Sequence, residues 1–277
     1  MIHNERSEQQ ANMKHIVFFS GGLGSFFTAK RVIERHGKEN TILLFTDTKT
    51  EDKDLYRFLN DAEQYFGIPI TYISDGRDIW QVFEDVNFIG NSRVAPCTQI
   101  LKQRLSKKWV KENFKPDECI LYLGIDWTEE HRTVAPRKNW HPYRVEFPLC
   151  EEPLIDKEDM KRELKEIGIE LPFLYRLGFS HNNCAGMCVK GGQGHWIQLL
   201  EKLPERFAYA ERKEKELREK IGKDVAILSV TEKGVKRPMT LEELRKKYKK
   251  EPKQLDLFDI GGCGCFVDDD EPITCEI

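Results

Sequence analysis

Four continuous apolar runs mark the first half of the chain: residues 15–20 (HIVFFS), 41–47 (TILLFTD), 69–75 (PITYISD) and 119–126 (CILYLGID). Unbroken apolar runs, as opposed to alternating ones, predict strands covered on both faces. Segments with helical spacing separate them: 25–36, closed by Gly37; 54–66, closed by Gly67; and 98–113, which opens after "APC". Strand and helix in alternation predict a parallel sheet with right-handed crossovers, an α/β Rossmann-like fold. A fifth strand is predicted at 144–149 (RVEFPL).

The pattern changes after Cys150. Residues 156–168 read as a short amphipathic helix, 181–196 as a loop, and 204–221 as a long charged helix. A short strand at 225–230 and a helix at 240–250 follow, then the tail "DIGGCGCFVDDDEPITCEI". This divides the chain into a sheet domain, 1–150, and a helical, cysteine-bearing extension, 151–277. The extension cannot bury much surface alone, so it is expected to pack on the C-terminal edge of the sheet. No internal repeat or low-complexity linker separates the two.

The chain has 277 residues, 39% hydrophobic and 33% charged, which places it with soluble globular proteins. Its net charge of −3 gives no global basic field for nucleic acid. The basic run at 245–250 reads as a solvated face. No apolar run approaches the ~20 residues that span a bilayer, so no membrane partner is expected. The start, "MIHNERSEQQANMK", is polar and has no apolar signal core. A cytoplasmic location follows as the expectation. Thiols there stay reduced, so eight cysteines argue for metal binding or catalysis more than for disulfides. Cys119 and Cys150 fit buried small apolar positions, and Cys275 in the tail has no evident role.

The segment "SGGLGS" (residues 20–25) joins the first strand to the first helix. It lacks the Gly-Lys-Ser/Thr of a P-loop. It also lacks the third glycine of the dinucleotide fingerprint, since Phe27 stands there. Its chemistry still suits an anion. Glycines let the backbone come close, and free amides at the helix N-terminus bind negative charge. Ser20 and Ser25 add hydroxyl donors, and Gly21, Gly22 and Gly24 supply the backbone. A plain tight turn from strand to helix is the competing reading.

"SGGLGS" resembles the SGGxDS loop of the ATP-pyrophosphatase (PP-loop) superfamily at every fixed position but one. "LLFTDT" (43–48) and "GIDWTEEHR" (124–132) resemble the strand-end segments of its phosphoadenosine phosphosulfate (PAPS) reductase-like branch. "APCTQILK" (95–102) resembles the Cys-Cys-x-x-x-Lys segment of its iron–sulfur reductases. "HNNCAGMCVKGGQGHW" and "GGCGCF" are similar to signatures of a bacterial and phage subgroup. The resemblance implies a nucleotide-binding domain at 1–150. It also implies an adenine nucleotide held by the loop, by Asp47 near ribose or adenine, and by Gly124. Arg93, His131 and Arg132 are candidates to meet phosphates. Three departures stand out: Gly24 replaces the loop aspartate, Asp126 replaces the arginine of G-x-R, and the tail lacks the Glu-Cys-Gly-x-His nucleophile motif of the reductases.

Five cysteines form a second group: Cys97, Cys184, Cys188, Cys263 and Cys265. Glycines beside the sulfurs leave room for a metal centre and supply amides to sulfur. Four thiolates suit zinc or an iron–sulfur cluster, and metal-free redox thiols are a third reading. The resemblance implies [4Fe–4S]. Five candidates for four places leave one thiolate, Cys263 or Cys265, to carry or attack sulfur, and Cys265 is the candidate nucleophile. His181 and His195 flank the Cys184–Cys188 pair and are read as either hydrogen-bonding or functional.

The expected function is that of an ATP-dependent adenylylating enzyme. It would activate a substrate for sulfur or nitrogen transfer, releasing pyrophosphate and AMP, with ATP or a sulfonucleotide bound and magnesium assisting. A sulfonucleotide reductase is one alternative. A non-catalytic nucleotide-binding subunit of a nucleic-acid modification or defence complex is another. The acceptor is open, with tRNA and DNA among the candidates, and homo-oligomerisation is compatible with the chain.

Overall fold

A computed structural model describes residues 13–250. Five strands form one parallel sheet: β1 (Lys14–Phe18), β2 (Thr41–Asp47), β3 (Ile70–Ser74), β4 (Cys119–Tyr122) and β5 (Arg144–Glu146), in the order β3-β2-β1-β4-β5. The strands are shorter than the apolar runs at 15–20, 119–126 and 144–149. In each case the run continues past the last ladder pair into the loop beyond the strand.

The apolar runs are continuous because both sheet faces are covered. Val17 and Phe19 pack with Phe26, Phe58, Tyr122 and Met160, beneath helices α1 (Leu23–His36), α2 (Lys53–Phe66) and α6 (Lys157–Glu166). Ile16 and Phe18 point the other way, against Val110 of α4 (Leu105–Asn113) and Trp140, which follows α5 (Val134–Asn139). Gly37 and Gly67 end α1 and α2 at φ +81° and +66°, the left-handed region that glycine tolerates. Helix α2 starts on Asp52, whose side chain accepts from the Asp54 amide.

A third core joins residues from both sides of Cys150. Trp80 and Phe83 of α3 (Ile79–Asp85), with Cys97 and Leu101, pack with Trp196 of α8 (Gln193–Lys202) and Phe207 of α9 (Pro204–Ile221). Leu228 and Met239 of an antiparallel hairpin, β6 (Leu228–Glu232) and β7 (Val235–Met239), and Leu244 of α10 (Leu241–Lys250) complete it. The hairpin turns at Lys233 and Gly234, both at positive φ, as a two-residue primed turn requires.

The structure departs from the sequence expectations at three places. Residues 98–113 are not one α-helix: Thr98–Arg104 is a π-helix, and α4 begins at Leu105. Residues 181–196 are not all loop, because α8 starts at Gln193; the glycines at 191 and 192 masked its beginning. The strand at 225–230 is displaced to Leu228–Glu232, with β7 as its unpredicted partner.

Glu214 of α9 ties this region together. It is 1% exposed, and its two carboxylate oxygens accept from the Ile227 amide (2.9 Å) and the Leu241 amide (2.7 Å). Burial pushes its pKa up to about 7, against the pull of those two bonds. The folded state therefore holds this proton more tightly than the unfolded chain, so wild-type stability falls as pH rises through that range. Glu214→Ala orphans two buried amides at roughly 1–3 kcal/mol each, so a loss of about 3 kcal/mol is expected in urea unfolding. The variant should also lose part of the decline in stability between the ordinary carboxylate range and pH 7.

Candidate functional site

In an open parallel sheet the ligand crevice forms where the strand order reverses, outside the carboxyl ends. Here that point lies between β1 and β4, adjacent strands whose chain connections run to opposite sides. The loop after β1 runs through Ser20, Gly21 and Gly22, with Gly24 and Ser25 in the first turn of α1, and the segment after β4 is Leu123–Asp126.

Gly21 sits at φ +73°, where a Cβ would come within 2.1 Å of the Leu55 side chain. Gly22 caps α1 in extended conformation. The helix has no side-chain cap and no acidic residue in its first turn. Its leading amides thus carry the partial positive charge of an N-terminus with no built-in counter-charge. Ser25 Oγ donates to the Gly22 carbonyl (2.9 Å), and Ser20 Oγ donates to Ser25 Oγ (3.3 Å).

Gly24 and Gly124 meet backbone to backbone. A Cβ on Gly24 would lie 2.6 Å from the Gly124 carbonyl oxygen, and one on Gly124 would lie 2.6 Å from the Gly24 carbonyl carbon. Both contacts are with backbone, which cannot swing aside. Gly24, where the resembled loop has aspartate, therefore has a packing cause: no side chain fits while β1 and β4 end this close together.

The two loops border a cavity of about 160 Å³. Ser20, Gly22, Gly24, Ser25, Gly124 and Arg132 line it, with Gly21 in the loop beneath. Thr46, Asp126, Lys102 and Tyr175 add to the wall, as do Ser180 to Asn183. Among the described residues, three cationic side chains line it, and each lies beside a carboxylate. Lys157 lies 3.9 Å from Asp126, Arg132 pairs with Glu129, and Lys102 lies 3.7 Å from Glu51.

Asp47, His131 and Arg93 do not line the cavity. Asp47 is buried and accepts from the Lys49 amide, Lys49 Nζ and Tyr56 Oη at 2.8–2.9 Å. Burial alone would raise its carboxyl, but these bonds outweigh it and hold the pKa below the ordinary value. His131 and Arg93 are exposed. Lys102, Lys157, Tyr175, Ser180, Asn182 and Asn183 also reach the cavity, and nothing in the apolar spacing around them marks them for it.

Cys184 and Cys188 are in contact. Both are free thiols, and the hydrogen bond between them, with burial and the Glu51 charge, pushes the Cys184 pKa well above the ordinary thiol value. Cys184, Ala185 and Gly186 all have positive φ (49°, 51° and 86°), an arrangement that costs free energy at the two non-glycine positions. Glu51 holds the turn by accepting from the Cys184 amide (2.7 Å), and Arg206 donates to the Ala185 carbonyl (3.0 Å). His195 is 4% exposed and its Nε2 donates to the Gly186 carbonyl (2.7 Å), so it braces the turn; burial lowers its pKa. His181 lines the cavity. Among the described residues, no group of three or more His, Cys, Asp or Glu side chains could hold a metal ion. Cys263 and Cys265 lie outside the described residues. Cys119 is buried, and burial raises its thiol to about 12, as expected of a packing residue.

The glycine contact makes a direct prediction. Gly24→Ala forces two backbone segments apart, at about 1–3 kcal/mol for overpacking. Gly24→Asp, which restores the residue of the resembled loop, should lower the melting temperature further and weaken nucleotide binding. A Gly24→Asp protein as stable as wild type would contradict the packing account.

No family model matches the chain, and no curated protein matches it. Among solved structures it is similar to a phosphoadenylyl-sulfate (PAPS) reductase from Candida auris in its phosphate complex, at 12% identity and a TM-score of 0.42, covering 62% of this chain and 80% of that one. It is also similar to an NH3-dependent NAD synthetase from Campylobacter jejuni in complex with nitrate, at 12% identity and a TM-score of 0.38, covering 79% and 87%. The chain itself forms a parallel sheet with a glycine loop at the end of its first strand.

Proposed function

We propose that the chain binds an adenine nucleotide at the β1–β4 crevice and uses it to adenylylate a substrate oxygen. The observation that carries this reading is the uncapped, acid-free N-terminus of α1, reached through a glycine loop and opening into a cavity lined by Ser20 and Ser25 of that segment. Such an end favours an anion, and the loop is shaped for close backbone approach.

In the proposed reaction a substrate oxygen attacks the α-phosphorus of ATP. The bond from the α-phosphorus to the bridging oxygen breaks, and pyrophosphate leaves with the electron pair. The amides of α1 and the hydroxyls of Ser20 and Ser25 would stabilise the charge growing there. A sulfur or nitrogen nucleophile then bonds to the activated carbon, and AMP departs with the oxygen. Gly24 does not weigh against this, since its identity follows from packing.

The Cys184–Cys188 pair would supply sulfur chemistry near the site. A [4Fe–4S] cluster or a zinc ion needs four such ligands, and the remaining candidates are Cys97, Cys263 and Cys265. A bound cluster would hold or deliver sulfur.

Incubation of the full chain with ATP and candidate acceptors under anaerobic conditions should release pyrophosphate. Ser20→Ala removes one hydrogen bond to a charged ligand, roughly 1.5–3 kcal/mol, and should weaken ATP binding about tenfold or more at unchanged melting temperature. Absence of ATP binding would overturn the reading. Protein purified anaerobically should carry about four irons with sulfide, the content of one [4Fe–4S] cluster. Cys184→Ser should lose them and Cys119→Ser should not, whereas zinc without sulfide would replace the cluster by a zinc site.

A further inference from the structure

One wall of the cavity carries two buried polar atoms that have no hydrogen-bond partner among the described residues. Asn182 is 2% exposed. Its Nδ2 donates to the Gly21 carbonyl of the glycine loop (3.4 Å), which fixes the amide's orientation. Among the described residues, its Oδ1 is buried with no hydrogen-bond partner, and so is Ser180 Oγ two residues earlier. Both residues line the cavity. Buried side-chain oxygens are nearly always satisfied, so an orphaned pair in one cavity wall points to something the cavity receives.

The identity of that partner is limited by the chemistry around it. The protein's own cations in the cavity are committed: Lys157 to Asp126, Arg132 to Glu129 and Lys102 to Glu51. A phosphate at the α1 N-terminus would offer only acceptor oxygens. Phosphate oxygens beside the Asn182 oxygen repel unless a positive centre lies between them. A hard divalent cation does this best. It takes amide, hydroxyl, water and phosphate oxygens alike, and magnesium in particular accepts few protein ligands beside substrate phosphates and water. No carboxylate can occupy position 24 against Gly124, so the loop itself has no acidic ligand to give.

The geometry points to Asn182 Oδ1, assisted by Ser180 Oγ, as the protein's ligand to a magnesium ion that accompanies the nucleotide phosphates, directly or through the ion's water. This rests on the nucleotide reading above. It assigns the cation to a neutral amide contributed from beyond residue 150, in place of a carboxylate within the loop.

The test is ATP binding by calorimetry with the full chain, in Mg2+ and in EDTA, and Mn2+ electron paramagnetic resonance with ATP present. Wild type should bind ATP at least tenfold more tightly with Mg2+. Asn182→Leu, which also removes the Gly21 tether, should lose more affinity in Mg2+ than in EDTA, so that most of the gain from Mg2+ disappears, and should lose the bound-Mn2+ signal. Ser180→Ala, which leaves the Gly21 tether intact, should show a smaller loss in the same direction. Asn182→Asp should keep or increase the Mg2+ gain. An unchanged Mg2+ gain in both Asn182→Leu and Ser180→Ala would overturn the inference while leaving nucleotide binding in place; the orphaned oxygens would then face an N–H-bearing second substrate. Equal losses in EDTA and in Mg2+ would also overturn it, reducing Asn182 to a brace for Gly21. Failure of wild type to bind ATP in either condition would remove the nucleotide reading, and this inference with it.

Discussion

The buried carboxylate of Glu51 is the joint on which the site hangs. Its side chain is 3% exposed and its oxygens serve three segments: Thr48 Oγ1 after β2 (2.9 Å), the Cys184 amide (2.7 Å) and Lys102 of the π-helix (3.7 Å). A carboxylate this deep survives only when paired and hydrogen-bonded, and removing one partner leaves an uncompensated charge. The loop after β2, the π-helix and the cysteine turn are therefore fixed relative to one another by one group. The same group acts on the chemistry: Glu51 raises the Cys184 pKa while Lys102 lowers it, so cavity cation and thiol share an anion.

The cavity's electrostatics follow a consistent design. Among the described residues, each cationic side chain reaching it lies beside a carboxylate, so the partial positive charge left without a paired side chain is that of the backbone at the α1 N-terminus. Backbone dipoles cannot be withdrawn by a rotamer change, and they are aimed before the ligand arrives.

The sheet was legible because its strands are buried on both faces, which turns them into continuous apolar runs. Helix ends at Gly37 and Gly67 were legible because only glycine sits easily at their backbone angles. The hairpin partner Val235–Met239 was not, since it is polar, largely exposed and contains Pro238. The π-helix was hidden because its widened turns leave no mark in apolar spacing that differs clearly from an α-helix. At the site, the glycine loop announced itself, but Asn182 and Ser180 did not. The role proposed for them rests on oxygens that have no partner among the described residues, which appears only once the chain is folded. Asp47 shows the converse: it was placed at the right strand end, yet its carboxylate turns inward to Lys49 and Tyr56.

The meeting of Gly24 and Gly124 also bears on how such a chain can change. A hundred positions apart, they occupy one space, and a side chain at either consumes it for both. Neither can be altered alone without first separating the ends of β1 and β4, and that separation would widen the crevice itself. Exchange of the glycine for a carboxylate is thus closed to single-step drift, so a new source of ligands has to arise elsewhere in the chain.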